Sequence, residues 1–150
     1  MAAGSEGLIL DMRRVLPAES QVVFAAFTDP NELATWFGPQ GFTVPSAQVD
    51  PHVGGAYRLE MRPPEGDAFY LGGEFREIDP PARLAFTFAY EDPDPDDVEN
   101  VVELSFRSRG AETEVAFTQG PFKTEARRQL HDDGWRDSFD KLERLLSVGA

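Results

Sequence analysis

The chain has 150 residues, 41% of them hydrophobic, which is enough to bury the core of one domain and too apolar for a disordered chain. Its formal net charge of −13 repels phosphate backbones and anionic membrane surfaces, so no nucleic-acid partner is expected. There is no cysteine, which excludes disulfides, thiolate metal sites and thiol nucleophiles.

Met1 to Gly7 hold no basic segment followed by an apolar run, so no secretory signal is expected. No stretch approaches the roughly 18 apolar residues needed to cross a bilayer. A cytoplasmic location follows by elimination. Leu8 to Leu16 reads as a strand, with Leu8, Leu10 and Met12 alternating against Ile9, Asp11 and Arg13. Ala18 to Thr28 carries Val22, Val23, Ala26 and Phe27 at helical spacing and must stop by Asp29-Pro30. Leu33, Trp36 and Phe37 mark a second short helix over 31–37, broken by Gly38-Pro39.

The centre is rich in strands. Phe42 to Val49 contains Pro45, which points to an edge position or a bulge. Ala56 to Arg62 puts Tyr57, Leu59 and Met61 on one face. Ala68 to Ile78 has Gly72-Gly73 in its middle, the mark of a bulge or a sharp bend. Arg83 to Tyr90 puts Leu84, Phe86, Phe88 and Tyr90 on one face. An acidic loop, Glu91 to Asp97, is expected to be solvated and held open by its own repulsion. Val98 to Arg107 and Thr113 to Thr118 form a last hairpin around Ser108-Arg109-Gly110-Ala111.

The period then changes. From about Thr124 to Val148, Leu130, Trp135, Phe139, Leu142, Leu145 and Leu146 lie close to one helical stripe. That helix is roughly 25 residues and near 37 Å long. Only the inner face of the sheet is large and apolar enough to receive it. The predicted fold is α+β: a curved seven-stranded antiparallel sheet, curled by bulges at Pro45 and Gly72-Gly73, around one long C-terminal helix. Two short helices follow the first strand. A single domain spans 1–150, with its core over about 8–147. The gap between helix and sheet, roofed by the short helices, is the natural cavity.

Three ordered motifs carry a family resemblance. The run Val23-Phe24-Ala25-Ala26-Phe27-Thr28-Asp29-Pro30, with Leu33 and Trp36-Phe37-Gly38-Pro39-Gln40-Gly41-Phe42, is the first. Glu77-Ile78-Asp79-Pro80-Pro81-Ala82-Arg83-Leu84 is the second, and Gly134-Trp135 followed by Leu142 is the third. Together they resemble the activator of heat-shock-protein-90 ATPase homologue family, of the START-like (SRPBCC) superfamily. The resemblance implies the helix-grip fold and a cavity for lipids, sterols, polyketides or other apolar molecules. It fixes no substrate and carries no shared catalytic residue. Some relatives are cyclases or aromatase-like enzymes. The eukaryotic activators stimulate the chaperone ATPase and also use an additional N-terminal domain, for which no counterpart is expected in this sequence.

The candidate ligand-binding residues are Trp36, Phe37, Tyr57, Leu59, Met61, Phe86, Phe88, Gly134, Trp135 and Phe139. Facing cavity walls must come from different elements, and these do. Gly134 costs a helix about 1 kcal/mol relative to alanine, which either room for a ligand beside Trp135 or close packing would offset. His131, with Asp132 and Asp133 beside it, reads as a solvent-facing histidine rather than a general base or zinc ligand. The serines lack a nucleophile-elbow context. Asp92, Asp94, Asp96 and Glu103 fall at positions one, three, five and twelve of a calcium loop, but Asp97 stands where that loop needs glycine. No catalytic residue, metal or cofactor is therefore expected. The leading reading is a carrier of a small apolar or amphipathic molecule. An enzyme acting on such a molecule, of the polyketide cyclase type, is the second, and a chaperone-accessory or stress-related interaction module the third. Oligomeric state is left open.

Overall fold

A computed structural model describes residues 8–148. The expectation that residues 1–7 carry no secretory signal falls outside them. The elements are β1 (Leu8–Leu16), α1 (Ser20–Thr28), α2 (Pro30–Trp36), β2 (Thr43–Val49), β3 (Ala56–Arg62), β4 (Phe69–Asp79), β5 (Arg83–Tyr90), β6 (Asn100–Arg109), β7 (Glu112–Phe122) and α3 (Glu125–Val148). Their order is the one the sequence predicts. The strands form one antiparallel sheet in the order β1-β7-β6-β5-β4-β3-β2. No helix among the described residues is long and apolar enough to cross a membrane.

Side-chain alternation decides which face of the sheet is inside. On β3, Tyr57, Leu59 and Met61 are buried while Arg58 and Arg62 are exposed. Val102, Leu104 and Phe106 on β6, and Val115 and Phe117 on β7, continue the same apolar face. The two short helices meet at one residue. Asp29 ends α1, and its carboxylate accepts hydrogen bonds from the Asn31 and Glu32 amides at 2.8 and 3.3 Å, capping α2 with Pro30 in its first turn.

Pro45 lies on the edge strand β2, at the irregularity where the β2–β3 register slips between Thr43 and Ser46. An edge strand tolerates the missing donor. The second expected bulge is not at Gly72-Gly73. Those glycines pair in register, Gly72 with Arg58 and Ala89 and Gly73 with Tyr57, and the slip in β4 falls between Phe75 and Glu77. The glycines allow close approach instead. A Cβ at Gly73 would lie 2.0 Å from the Thr87 carbonyl oxygen, and one at Gly72 would lie 2.3 Å from that of Tyr57. The bare backbone lets Tyr57 reach across β4 and donate its hydroxyl to the Thr87 carbonyl at 2.7 Å. The Thr87 hydroxyl in turn accepts from the Glu74 amide at 2.8 Å.

The long helix is continuous and crosses the inner side of the sheet. Its inward stripe is His131, Trp135, Ser138, Phe139 and Leu142, all buried, with Leu146 half-buried. Leu130 and Leu145, placed on this stripe by the sequence pattern, are 52% and 46% exposed. They sit one position off the 131-135-138/139-142 spacing that faces the sheet. Polar contacts fix the helix at both flanks. Arg14 of β1 donates to Asp140 at 2.6 Å and Glu143 at 3.1 Å. From the α2–β2 connector, the Gly38 amide donates to the Ser138 hydroxyl at 2.9 Å and the Gln40 amide to Asp137 at 3.1 Å. Lys141 returns a bond to the Pro39 carbonyl at 3.2 Å.

The acidic loop is tied down rather than held open. Arg127, in the first turn of α3, donates to Asp94 at 2.5 Å and pairs with Asp97 at 3.6 Å. Lys123 donates to the Pro95 carbonyl at 2.8 Å. Two cations from the β7–α3 junction meet the carboxylates and carbonyl of the loop, so its self-repulsion does not set its shape.

Candidate functional site

The connector between α2 and β2, rather than the short helices themselves, roofs a cavity of about 160 Å³. Phe37, Gly38, Pro39 and Phe42 supply the roof. Met61, Phe69, Leu71, Phe88 and Tyr90 come from β3, β4 and β5, and Leu130, His131, Gly134, Trp135 and Ser138 from α3. Among these fourteen residues there is no Lys, Arg, Asp or Glu. A space of this size takes one aromatic ring or a short alkyl segment, since dry apolar cavities near 150 Å³ accept benzene.

Of the ten predicted residues, Phe37, Met61, Phe88, Gly134 and Trp135 line this cavity. Tyr57, Leu59 and Phe86 line a separate void of about 20 Å³, shared with Phe37, Phe88 and Trp135. That is barely room for one water. Trp36 and Phe139 line neither. Both are wholly buried and their rings lie 6.5 Å apart between centroids. The Trp36 indole N–H donates to the Ala26 carbonyl at 3.0 Å, and Phe139 sits between Phe27, Phe117 and Trp135. Both are packing residues joining the short helices to α3, because α1 fills the end of the grip that they face.

Trp135 forms the floor, and its orientation is set by a buried polar chain. Its indole N–H donates to Gln119 at 2.8 Å, and the Gln119 amide donates to Asn100 at 3.0 Å. Asn100 donates to the Pro121 carbonyl at 3.4 Å. Phe37 closes edge-on to Trp135 at 5.3 Å between centroids. Gly134 adjoins the cavity at Pro39, where an added Cβ would meet only Pro39 Cγ at 3.6 Å, an ordinary contact.

The polar groups at the wall are His131, Tyr90 and Ser138. The Ser138 hydroxyl donates to the Gly134 carbonyl at 2.9 Å and accepts from the Gly38 amide, so it is engaged in holding the roof. His131 is 8% exposed, not solvent-facing as its acidic neighbours suggest. Its ring lies among Phe88, Tyr90 and Phe122, with centroids at 5.4, 5.8 and 4.9 Å. The adjacent Asp132, itself largely buried, pairs with Arg136 rather than with the imidazole. His131 Nε2 and the Tyr90 hydroxyl are 3.4 Å apart, a long hydrogen bond. Burial pushes the His131 pKa down to about 4, with Asp97 opposing and Arg127 assisting. Burial, helped by Asp97, pushes Tyr90 up to about 12. Both groups are neutral at pH 7.

Sequence reasoning missed Gly38, Pro39, Phe42, Phe69, Leu71, Tyr90, Leu130, His131 and Ser138 as lining. Two had a usable signal. Tyr90 shares the alternating face of Phe86 and Phe88, and His131 precedes Trp135 by four residues on one helix face.

A curved sheet gripping a long helix, with a roofed apolar cavity at one end of the grip, defines a helix-grip domain. The chain belongs to the family described as Activator of Hsp90 ATPase homolog 1-like protein, whose model matches residues 17–147. Among solved structures it is similar to protein CV1439 from Chromobacterium violaceum, at 26% identity and TM-score 0.84, covering 92% of this chain and 96% of that one. The AHSA1 protein SPO3351 from Silicibacter pomeroyi shares the fold at 23% identity and TM-score 0.84, over 95% of this chain and 99% of that one. DynU16, from the dynemicin biosynthetic locus, shares it at 22% identity and TM-score 0.75, over 94% of this chain and 48% of that one. No curated protein matches the chain.

Proposed function

We propose that the chain binds a small apolar or amphipathic molecule in the cavity between α3 and the sheet. The observation that carries this reading is the cavity itself: about 160 Å³, walled by aromatic and aliphatic side chains from four elements and the connector, with no charged lining residue. Pockets of this composition are the usual sites of small-molecule recognition. The volume narrows the ligand to a single ring or a short chain inside the cavity, with any larger part extending through the open mouth.

His131 and Tyr90 at the wall raise the alternative of an enzyme acting on the same ligand. Proton transfer at neutral pH favours groups that titrate near 7, and burial holds these two near 4 and 12. They suit hydrogen bonding in the uncharged form better than acid–base work. The family description keeps a chaperone partner as a third reading.

The test is titration with toluene, followed by tryptophan fluorescence. Trp135 lines the cavity while Trp36 sits in packed core, so a Trp36→Phe variant reports the cavity alone. Saturable change in that signal is expected. A signal unmoved up to the solubility limit, with no low-mass adduct in native mass spectrometry of purified protein, refutes the reading.

A further inference from the structure

Resting on the ligand-binding reading above, we infer that the cavity selects an uncharged ligand carrying a hydroxyl on a single ring, a phenol-type molecule, whose hydroxyl bridges Tyr90 and His131. Three observations converge on this class. First, the walls are rings: Phe37, Phe88 and Trp135 present faces and edges to a space of one-ring size. Second, no Lys, Arg, Asp or Glu lines the cavity, and the two charges that act on both His131 and Tyr90, Asp97 and Arg127, are paired with each other at 3.6 Å. A carboxylate buried there would meet no unpaired cation among the lining residues, an unfavourable placement.

Third, the polar pair is under-used. Tyr90 and His131 share one 3.4 Å contact, longer than a well-formed bond between such atoms. With the proton on Nδ1, neutral His131 offers Nε2 as an acceptor, and Tyr90 offers its O–H as a donor. A ligand hydroxyl is both donor and acceptor. It accepts from Tyr90, donates to His131 Nε2 and replaces one long bond with two ordinary ones. In that tautomer an ether or carboxylate accepts from Tyr90 but leaves Nε2 without a donor, and an ammonium donates to Nε2 but leaves the Tyr90 proton without an acceptor. Ser138 does not compete, since its proton is committed to the Gly134 carbonyl.

The experiment titrates the wild-type chain, Tyr90→Phe and His131→Phe with phenol, toluene and benzoate at pH 7. Phenol should bind wild type roughly three- to tenfold more tightly than toluene, the usual net value of one or two hydrogen bonds. That preference should vanish in Tyr90→Phe, which keeps the ring and loses only the donor. His131→Phe should lose the preference as well. Benzoate should bind at least tenfold more weakly than phenol. Toluene binding with no phenol preference, or benzoate binding as tightly as phenol, overturns this inference and leaves the ligand-binding reading standing. Binding of none of the three overturns both.

Discussion

Replacing Gly134 separates a ligand-facing glycine from a packing glycine. A Cβ at this position meets only Pro39 Cγ at 3.6 Å, so alanine fits without displacement. Gly134→Ala should therefore stabilise the chain by about 0.5–1 kcal/mol, the helix-propensity difference, and change toluene affinity less than threefold. Gly134→Leu keeps most of that propensity gain and adds three more carbons at the wall of a 160 Å³ space. Half-burying them contributes about 1 kcal/mol, so the variant should be as stable as wild type or about 1–2 kcal/mol more stable. Its side chain occupies the room a ring would take, so toluene affinity should fall at least tenfold. Urea midpoints and toluene titrations on the same three proteins provide the measurement. If Gly134→Leu loses 1–3 kcal/mol, the cost of overpacking, while affinity per folded molecule is unchanged, the glycine serves close packing and the reasoning fails.

Three further outcomes are expected. Gly73→Ala places a Cβ 2.0 Å from the Thr87 carbonyl oxygen, so it should destabilise by about 3 kcal/mol or more; a urea midpoint within 1 kcal/mol of wild type would refute the close-approach account. Trp135→Phe strands the buried Gln119 carbonyl oxygen and should cost about 2–3 kcal/mol, whereas Trp36→Phe strands the Ala26 carbonyl, so both should read as less stable by thermal melting. The pH dependence follows from His131, whose folded pKa of about 4 lies below the ordinary 6.5. The unfolded chain binds the extra proton between these values, so stability is full above pH 6.5 and falls as pH drops towards 4, by on the order of 2–3 kcal/mol. His131→Phe should flatten that part of the urea-midpoint profile; an unchanged slope would show that the ring is not buried neutral.

Local pattern carried much of this protein. The alternation of Tyr57, Leu59 and Met61 against Arg58 and Arg62 places a strand face without any knowledge of its partner, because a strand has period two. Asp29-Pro30 marks the junction of two helices for a backbone reason that is equally local. The change of period near residue 124 marks the long helix, and an amphipathic helix of that length has to cover a sheet. Such signals reach the fold and five of the fourteen lining residues, since both depend on which side of an element a residue occupies.

What tertiary structure alone decided depends on which elements meet. His131 stands among carboxylates in the chain and among Phe88, Tyr90 and Phe122 in space; those rings arrive from β5 and β7, and no local pattern announces them. The acidic loop repels itself in sequence, yet Arg127 and Lys123 approach it once α3 has docked. Trp36 and Phe139 have the same apolar character as Phe37 and Trp135. Only the first pair is sealed, because α1 fills one end of the grip and leaves the other roofed by the Phe37–Phe42 connector. An apolar side chain is equally suited to a core and to a cavity wall, and the difference is whether another element comes to occupy the space beside it.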